Sequence, residues 1–102
     1  MERDFYLVSS HGTALFYIAV NPGCTVHEMA DELCLTRRTL WGLIGDLRRE
    51  GMLVIRRDGK EHHYYVDMSA EFSHPVLGRL PLRTILGRLS VEAREAQPVA
   101  AA

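Results

Sequence analysis

Residues 25–66, TVHEMADELCLTRRTLWGLIGDLRREGMLVIRRDGKEHHYYV, contain the pattern that decides the fold. Thr25 and Glu28 have the spacing of a capping box, in which each side chain accepts a hydrogen bond from the other residue's backbone N–H. A helix is therefore predicted to begin after Thr25. Apolar residues then recur at helical spacing and predict one buried face. These residues are Val26, Met29, Ala30, Leu33 and Cys34.

A second helix is predicted from Thr36 to about Glu50, after a short turn. Thr36 is a suitable N-cap, and Gly51 supplies a natural stop. Steps of 100° per residue place four apolar residues on one side of this helix. They are Leu40, Leu43, Ile44 and Leu47.

The opposite side of the second helix carries Arg38, Gly42, Gly45 and Arg49. Each glycine costs roughly 1 kcal/mol of helix stability relative to alanine, so a plain solvated face has no reason to contain two. A bare backbone strip between arginines could lie close to a phosphate ridge or a groove floor. The alternative is a solvent-facing helix in which the glycines are merely tolerated.

A hairpin is predicted to follow from Leu53, with Asp58 and Gly59 as a two-residue type I′ turn. This register pairs Arg57 with Lys60 and Ile55 with His62. The side chains predicted to face the helices are those of Leu53, Ile55, Tyr64 and Val66. The tip of the hairpin is basic, with Arg56, Arg57 and Lys60.

The succession LTRRTLWGLIGDLRREG and GMLVIRRDGKEHHYYV resembles the winged helix-turn-helix domain of small prokaryotic transcriptional regulators, the broad grouping that includes the ArsR and MarR types. The resemblance spans residues 12–66. It implies a mainly α fold with a small β-hairpin: a three-helix core, a β-wing and, here, an additional C-terminal helix. It also implies binding of double-stranded DNA, usually as a homodimer. The paired cysteines of metal-sensing ArsR-type members are not matched, because Leu35 and Thr36 follow Cys34.

The function predicted on these grounds is a sequence-specific transcription regulator. Its recognition helix, residues 36–50, would enter the major groove, and the wing tip, residues 56–60, would contact the backbone or the minor groove. The expected DNA-binding residues are Thr36, Arg37, Arg38, Thr39, Trp41, Gly42, Gly45, Arg48, Arg49, Arg56, Arg57 and Lys60. The rival prediction is a winged-helix adaptor that binds protein rather than DNA, with Trp41 as its anchor.

The charge distribution agrees with the DNA prediction, although the whole chain of 102 residues carries a formal charge of only −1. Residues 1–35 hold one base against five acids, a net charge of −4. Residues 36–66 hold seven bases against four acids, a net charge of +3. The positive charge is thus concentrated in the segment expected to touch DNA.

The rest of the chain predicts a first helix from Ser10 to Val20 and a short amphipathic helix after Pro81. Residues 73–81 are expected to be an irregular connection, so the predicted division is a DNA-binding domain at 1–72, a connection and C-terminal helix at 73–96, and a disordered tail at 97–102. The apolar face of the last helix could pack on its own domain. We favour instead a homodimer interface formed by Phe16, Tyr17, Leu82, Ile85, Leu86 and Leu89.

Several classes of function are disfavoured by the sequence. No apolar stretch is long enough to span a membrane, and no secretory signal is recognisable, which predicts a cytoplasmic protein. Cys24 and Cys34 are expected to be reduced packing or turn residues. No ligand spacing predicts a metal site, no motif calls for a cofactor, and no paired catalytic groups predict an enzyme.

Overall fold

The computed structural model describes residues 8–88. In this range the chain forms four helices and two antiparallel hairpins. Their order is α1 (Ser10–Val20), α2 (Val26–Leu33), α3 (Arg37–Arg49), β1 (Leu53–Asp58), β2 (Glu61–Val66), β3 (Glu71–His74), β4 (Gly78–Pro81) and α4 (residues 82–88).

The first three helices begin at the predicted positions because a side chain caps each of them. The Thr25 hydroxyl accepts from the Glu28 N–H at 3.2 Å, and the Glu28 carboxylate accepts from the Thr25 N–H at 3.0 Å. Thr36 caps α3 by accepting from the Thr39 N–H at 3.1 Å. The capping box and both helix starts are confirmed.

The core lies where α1, α2 and α3 meet the inner face of the first hairpin. The four apolar residues predicted on α3 are all buried, and so are Leu15, Ile18 and Ala19 of α1. Tyr64 on β2 and Leu86 on α4 are each only 1% exposed and close the core from the other side. Among residues 8–88, fifteen buried hydrophobic residues form this one cluster.

Cys34 was predicted to belong to the buried stripe of α2, and this was wrong. It is exposed and has a left-handed backbone, with φ 55°, as the residue that ends α2. The chain turns here, so the helical spacing that linked Cys34 to Ala30 no longer applies. Cys24 is buried as expected.

The register predicted for the first hairpin was also wrong. Asp58 pairs with Glu61 and Ile55 pairs with Tyr64, so Gly59 and Lys60 form the turn. Gly59 has φ 65°, whereas φ of Lys60 is not positive. These are the signs of a type II′ turn, which needs glycine only at its first central position. The shift moves pairing along the strands without exchanging their faces, so Ile55 and Tyr64 still face inward.

A single residue of the α1–α2 connection extends this hairpin. Cys24 pairs with Tyr64, whose backbone N–H donates to the Cys24 carbonyl at 3.0 Å. The Tyr64 carbonyl in turn accepts from the Gly23 N–H at 2.9 Å. Since Gly23 and Cys24 lead directly into α2, these bonds fix the hairpin against the start of that helix.

Residues 73–81 are not an irregular connection. They form most of a second hairpin, in which Phe72 pairs with Leu80 and Ser73 with Arg79. The fold is therefore a mixture of helices and hairpins rather than mainly helical with one small hairpin.

The fourth helix is confirmed for residues 82–88, the last that the structure describes. Backbone bonds fix its start, because Leu82 donates to the Ala70 carbonyl at 2.7 Å and Arg83 donates to the Met68 carbonyl at 3.0 Å. The rest of the predicted helix and the predicted disordered tail, residues 89–96 and 97–102, lie outside the described residues.

Candidate nucleic-acid interface

One side of α3 is exposed at Arg38 and Gly42 and half-buried at Gly45. Arg38 is exposed, and a Cβ built on Gly42 would meet no heavy atom of the described residues within 4 Å. A Cβ on Gly45 would approach only Arg49 Nη1, at 3.5 Å. The glycine strip predicted from the sequence is therefore a bare stretch of accessible helix backbone.

A hollow of about 420 Å³ separates α3 from the tip of the β1–β2 hairpin. Arg37 and Trp41 line it from α3, and Lys60 and His62 line it from the hairpin. Trp41 is 50% exposed, which is high for a large aromatic side chain. Arg37 of α3 and Lys60 of the hairpin thus line the same depression, together with the acidic Glu61.

His27 of α2 also lines this hollow and holds Arg37. The Arg37 guanidinium donates from Nη2 to His27 Nδ1 at 3.0 Å, and His27 Nε2 lies 3.5 Å from Asp31 Oδ2. Because a guanidinium can only donate, His27 accepts this bond at Nδ1, and its Nε2 is directed towards Asp31. Sequence reasoning missed His27, since its ten-residue separation from Arg37 matches no helical or strand period.

The hydroxyls of Thr36 and Thr39, which were predicted to lie at the interface, stabilise the start of α3. Thr36 caps α3 with its side-chain oxygen, and its hydroxyl also donates to Thr39 Oγ1 at 3.0 Å. Both residues are exposed at the start of α3. They remain beside Arg37 and Arg38, so they belong to the same surface.

Arg49 stands apart from the hollow. Its guanidinium is paired with Asp46, whose carboxylate also lies 2.7 Å from His11 Nε2. The hydrogen bond from His11, with help from Arg49, holds the pKa of Asp46 below its ordinary value. Arg49 and Asp46 line a different cavity, between α3 and α1. Arg48 is exposed, and its charge acts on the Tyr64 phenol, where it partly offsets the rise in pKa that burial causes.

The three basic residues of the hairpin do not share one face. Arg57 pairs with His62 and lies on the face of Ile55 and Tyr64, which is the side of α3. Arg56 lies on the opposite face, with its guanidinium carbon 5.8 Å from the centre of the Tyr65 ring. Arg56, predicted as a DNA-binding residue of the hairpin tip, therefore faces away from α3, because alternate strand residues point to opposite sides.

The apolar face of α4 is not free to form the homodimer interface that was predicted. Leu82 and Leu86 are 4% and 1% exposed and pack into the chain's own core. Ile85 is 37% exposed, whereas Phe16 and Tyr17 are half-buried against the core. Leu89 lies outside the described residues. The two leucines expected at a dimer interface thus belong to the interior of a single chain.

Residues 8–88 contain no group of three or more His, Cys, Asp and Glu side chains that could hold a metal ion. None of the described helices is both long enough and apolar enough to cross a bilayer. A scan against protein-family models and searches of curated proteins and solved structures each returned no significant match to this chain.

Proposed function

We propose that this chain binds double-stranded DNA as a winged helix-turn-helix protein, with α3 in the major groove and the β1–β2 hairpin as the wing. The three residues between α2 and α3 make a turn of the length usual in helix-turn-helix units. The hairpin follows α3 and is fixed against the start of α2 by the Cys24–Tyr64 pairing. This is the order and connection that the resemblance to winged regulators implies.

The observation that carries the proposal is the continuous open surface formed by the α3 strip, the hollow and the hairpin tip. A helix backbone with no side chain at Gly42 can approach a groove floor more closely than an ordinary helix. Arg37, Arg38 and Trp41 stand beside that strip and are assigned to base edges. Arg57 and Lys60 are assigned to phosphates. Asp58 and Glu61 at the tip offset part of this charge, so the expected number of phosphate contacts is small.

The proposal concerns a single copy of the chain. The packing of Leu82 and Leu86 removes the reason for which a two-fold pair was expected. A monomer with one helix in the groove binds a half-site, and a second copy is needed only to read a palindrome.

A protein-interaction adaptor is the second candidate, and Trp41 favours it. A half-exposed tryptophan between arginines has the composition of a protein-interface hot spot. The two candidates differ in their response to salt, because DNA binding releases counterions from the phosphates and protein binding does not.

Fluorescence anisotropy of a labelled random-sequence duplex, titrated with the full chain at two salt concentrations, tests the proposal. We expect the logarithm of the binding constant to fall with the logarithm of the salt concentration, with a slope of about −0.9 for each phosphate contact. Lys60→Ala should make the slope shallower by about 1. Arg83→Ala removes the same charge from α4 and should leave the slope unchanged. A chain that does not bind duplex, or binds with no salt dependence, would exclude the proposed function.

A further inference from the structure

A cavity among the described residues lies on another side of α3 from the proposed DNA surface. It has a volume of about 720 Å³ and lies between α1, the C-terminal half of α3, the β3–β4 hairpin and α4. Leu15, Leu47, Leu82 and Leu86 form its buried floor. Leu77 and Ile85, which are 53% and 37% exposed, stand at its mouth. Cavities of roughly 300 to 1,000 Å³ with mostly apolar walls are the usual size and character of small-molecule sites.

Polar groups converge at the rim of this cavity. His11 and Arg49 meet there on the carboxylate of Asp46. His74, from β3, accepts at Nδ1 from the backbone N–H groups of Val76 and Leu77, at 3.0 and 3.3 Å. A neutral imidazole that accepts at Nδ1 carries its proton on Nε2, so His74 retains one hydrogen-bond donor.

The charges on the rim decide which kind of molecule fits. Among the described residues that line the cavity, Arg49 is the only basic residue other than the histidines. Two acidic residues, Asp46 and Glu50, also line it. The Arg49 guanidinium already forms an ion pair with the Asp46 carboxylate. An organic anion would therefore meet more negative than positive charge, and an organic cation would lose its hydration among the apolar walls. An uncharged ligand has neither cost.

We propose that this cavity binds a small, uncharged, mainly hydrocarbon molecule with one hydrogen-bonding group, its hydrocarbon body on the leucine floor and its polar group at the His11–Asp46 and His74 rim. The volume and the apolar floor lead to this class of ligand, and the excess of carboxylates over guanidinium groups on the rim disfavours an anion. The inference does not depend on DNA binding. Any effect of the ligand on DNA would rest on the proposed function, since α3 contributes to both surfaces.

N-phenyl-1-naphthylamine, an uncharged fluorescent probe, tests the proposal with the full chain. We expect saturable binding of one probe per chain, accompanied by a rise in fluorescence. Ile85→Arg and Leu77→Arg place a charge at the mouth on exposed side chains, and each should weaken binding by about tenfold or more. Val54→Arg is the matched control, because Val54 is 39% exposed on the first hairpin and does not line the cavity. Circular dichroism of each variant establishes that it is folded.

The anionic probe 1-anilinonaphthalene-8-sulfonate tests the charge argument, and we expect it to bind about tenfold more weakly than the uncharged probe. Four results would overturn the proposal. They are absence of saturable binding, equal binding by the two mouth variants and Val54→Arg, equal affinity for both probes, and loss of the probe as chains associate at higher protein concentration. The last result would assign the cavity to a second copy of the chain.

Discussion

A substitution at Gly42 distinguishes the two interpretations of α3, as a DNA-binding surface or as a helix face that is only solvated. Its position has room for a side chain, so Gly42→Ala should raise the free energy of unfolding by about 1 kcal/mol through helix propensity. If the strip lies on DNA, the added methyl group should at the same time weaken duplex binding. Urea denaturation and the anisotropy titration measure the two effects.

Gly87→Ala in α4 is the matched control for Gly42→Ala. The nearest atom to a Cβ at Gly87 is Arg83 Cβ, at an ordinary 3.8 Å. This variant should gain helix stability without losing affinity for DNA. An unchanged affinity in Gly42→Ala would show that the strip is only a solvated helix face.

Arg38 and Lys60 are expected to differ in what they contribute. Arg38→Ala should cost about 1 to 3 kcal/mol at one base pair of the preferred site and relax the preference there. Lys60→Ala should weaken all sequences alike. Selection from a random duplex library, followed by titration of the winner and of single-base changes, separates the two effects. Equal losses on every sequence from both variants would contradict the assignment of Arg38 to a base edge.

The sequence predicts which residues are basic and exposed, but not which of them meet. Arg37 bonds to His27 of another helix, Arg49 is held by Asp46, and Arg56 lies over Tyr65 on the far face of the hairpin. Arg49 and Asp46 are three residues apart on the same helix, a spacing visible in the sequence, whereas the Arg37–His27 contact depends on where two helices come together. Periodicity within one element carries no information about that.

The first hairpin shows the same limit at the scale of an element. Alternation of side chains correctly predicted the inner face, whereas pairing depended on one turn. Gly59→Ala should destabilise the fold by about 1 kcal/mol or more, since an L-residue is strained at φ 65°. Asp58→Ala should cost less, because Asp58 is a paired strand residue. Unfolding experiments test the energies, and nuclear Overhauser contacts between Ile55 and Tyr64 test the register. Contacts between Ile55 and His62 would instead support the register predicted from the sequence.

The packing of α4 can be tested by comparing two adjacent side chains. Leu86→Ala should lower the free energy of unfolding by about 2 to 5 kcal/mol, because it leaves a cavity in the core. Ile85→Ala should cost about 1 kcal/mol or less, since Ile85 is partly exposed. Both losses should be independent of protein concentration. If the loss of stability in Leu86→Ala diminished as the protein is concentrated, Leu86 would instead belong to a dimer interface.

Local chemistry explains why some elements could be predicted and others could not. The starts of α2 and α3 follow from Thr25, Glu28 and Thr36, which act within one turn of their own helix. The β3–β4 hairpin has strands of four residues, one of which ends in proline, and it lacks a sustained alternation. Bonds from the start of α4 to Met68 and Ala70 join this hairpin to the fold. No short pattern in the sequence predicts those bonds.

Across the whole molecule, the formal charge of −1 conceals an uneven distribution. Acidic residues predominate before α3, and basic residues predominate in α3 and the first hairpin. Two features connect these parts: the Arg37–His27–Asp31 contacts between α3 and α2, and the His11–Asp46–Arg49 cluster between α1 and α3. Electrostatic contacts therefore hold α3 at both ends, while its buried side packs in the core.

The cluster at Asp46 gives the molecule a predictable response to acid. The pKa of Asp46 in the folded chain lies below the ordinary value of 3.8, first because of the hydrogen bond with His11. Stability from this carboxylate is therefore fully present above pH 3.8 and is lost as the pH falls through the lower folded-state pKa. Asp46→Asn should be less stable than the native chain near neutral pH, and this difference should shrink in acid.

Asp67 provides the internal comparison, because its pKa is lowered by the Ser69 hydroxyl and by backbone N–H groups rather than by a charge. Asp67→Asn should show the same trend with pH. Salt should distinguish the two residues, since it screens the attraction of Arg49 and His11 for Asp46 but has little to screen at Asp67. Denaturation curves of the three chains between about pH 2 and 7, at low and high salt, measure both dependences. If the difference between the native chain and Asp46→Asn stayed constant down to the lowest pH, the His11–Asp46 contact would not join α1 to α3 in solution.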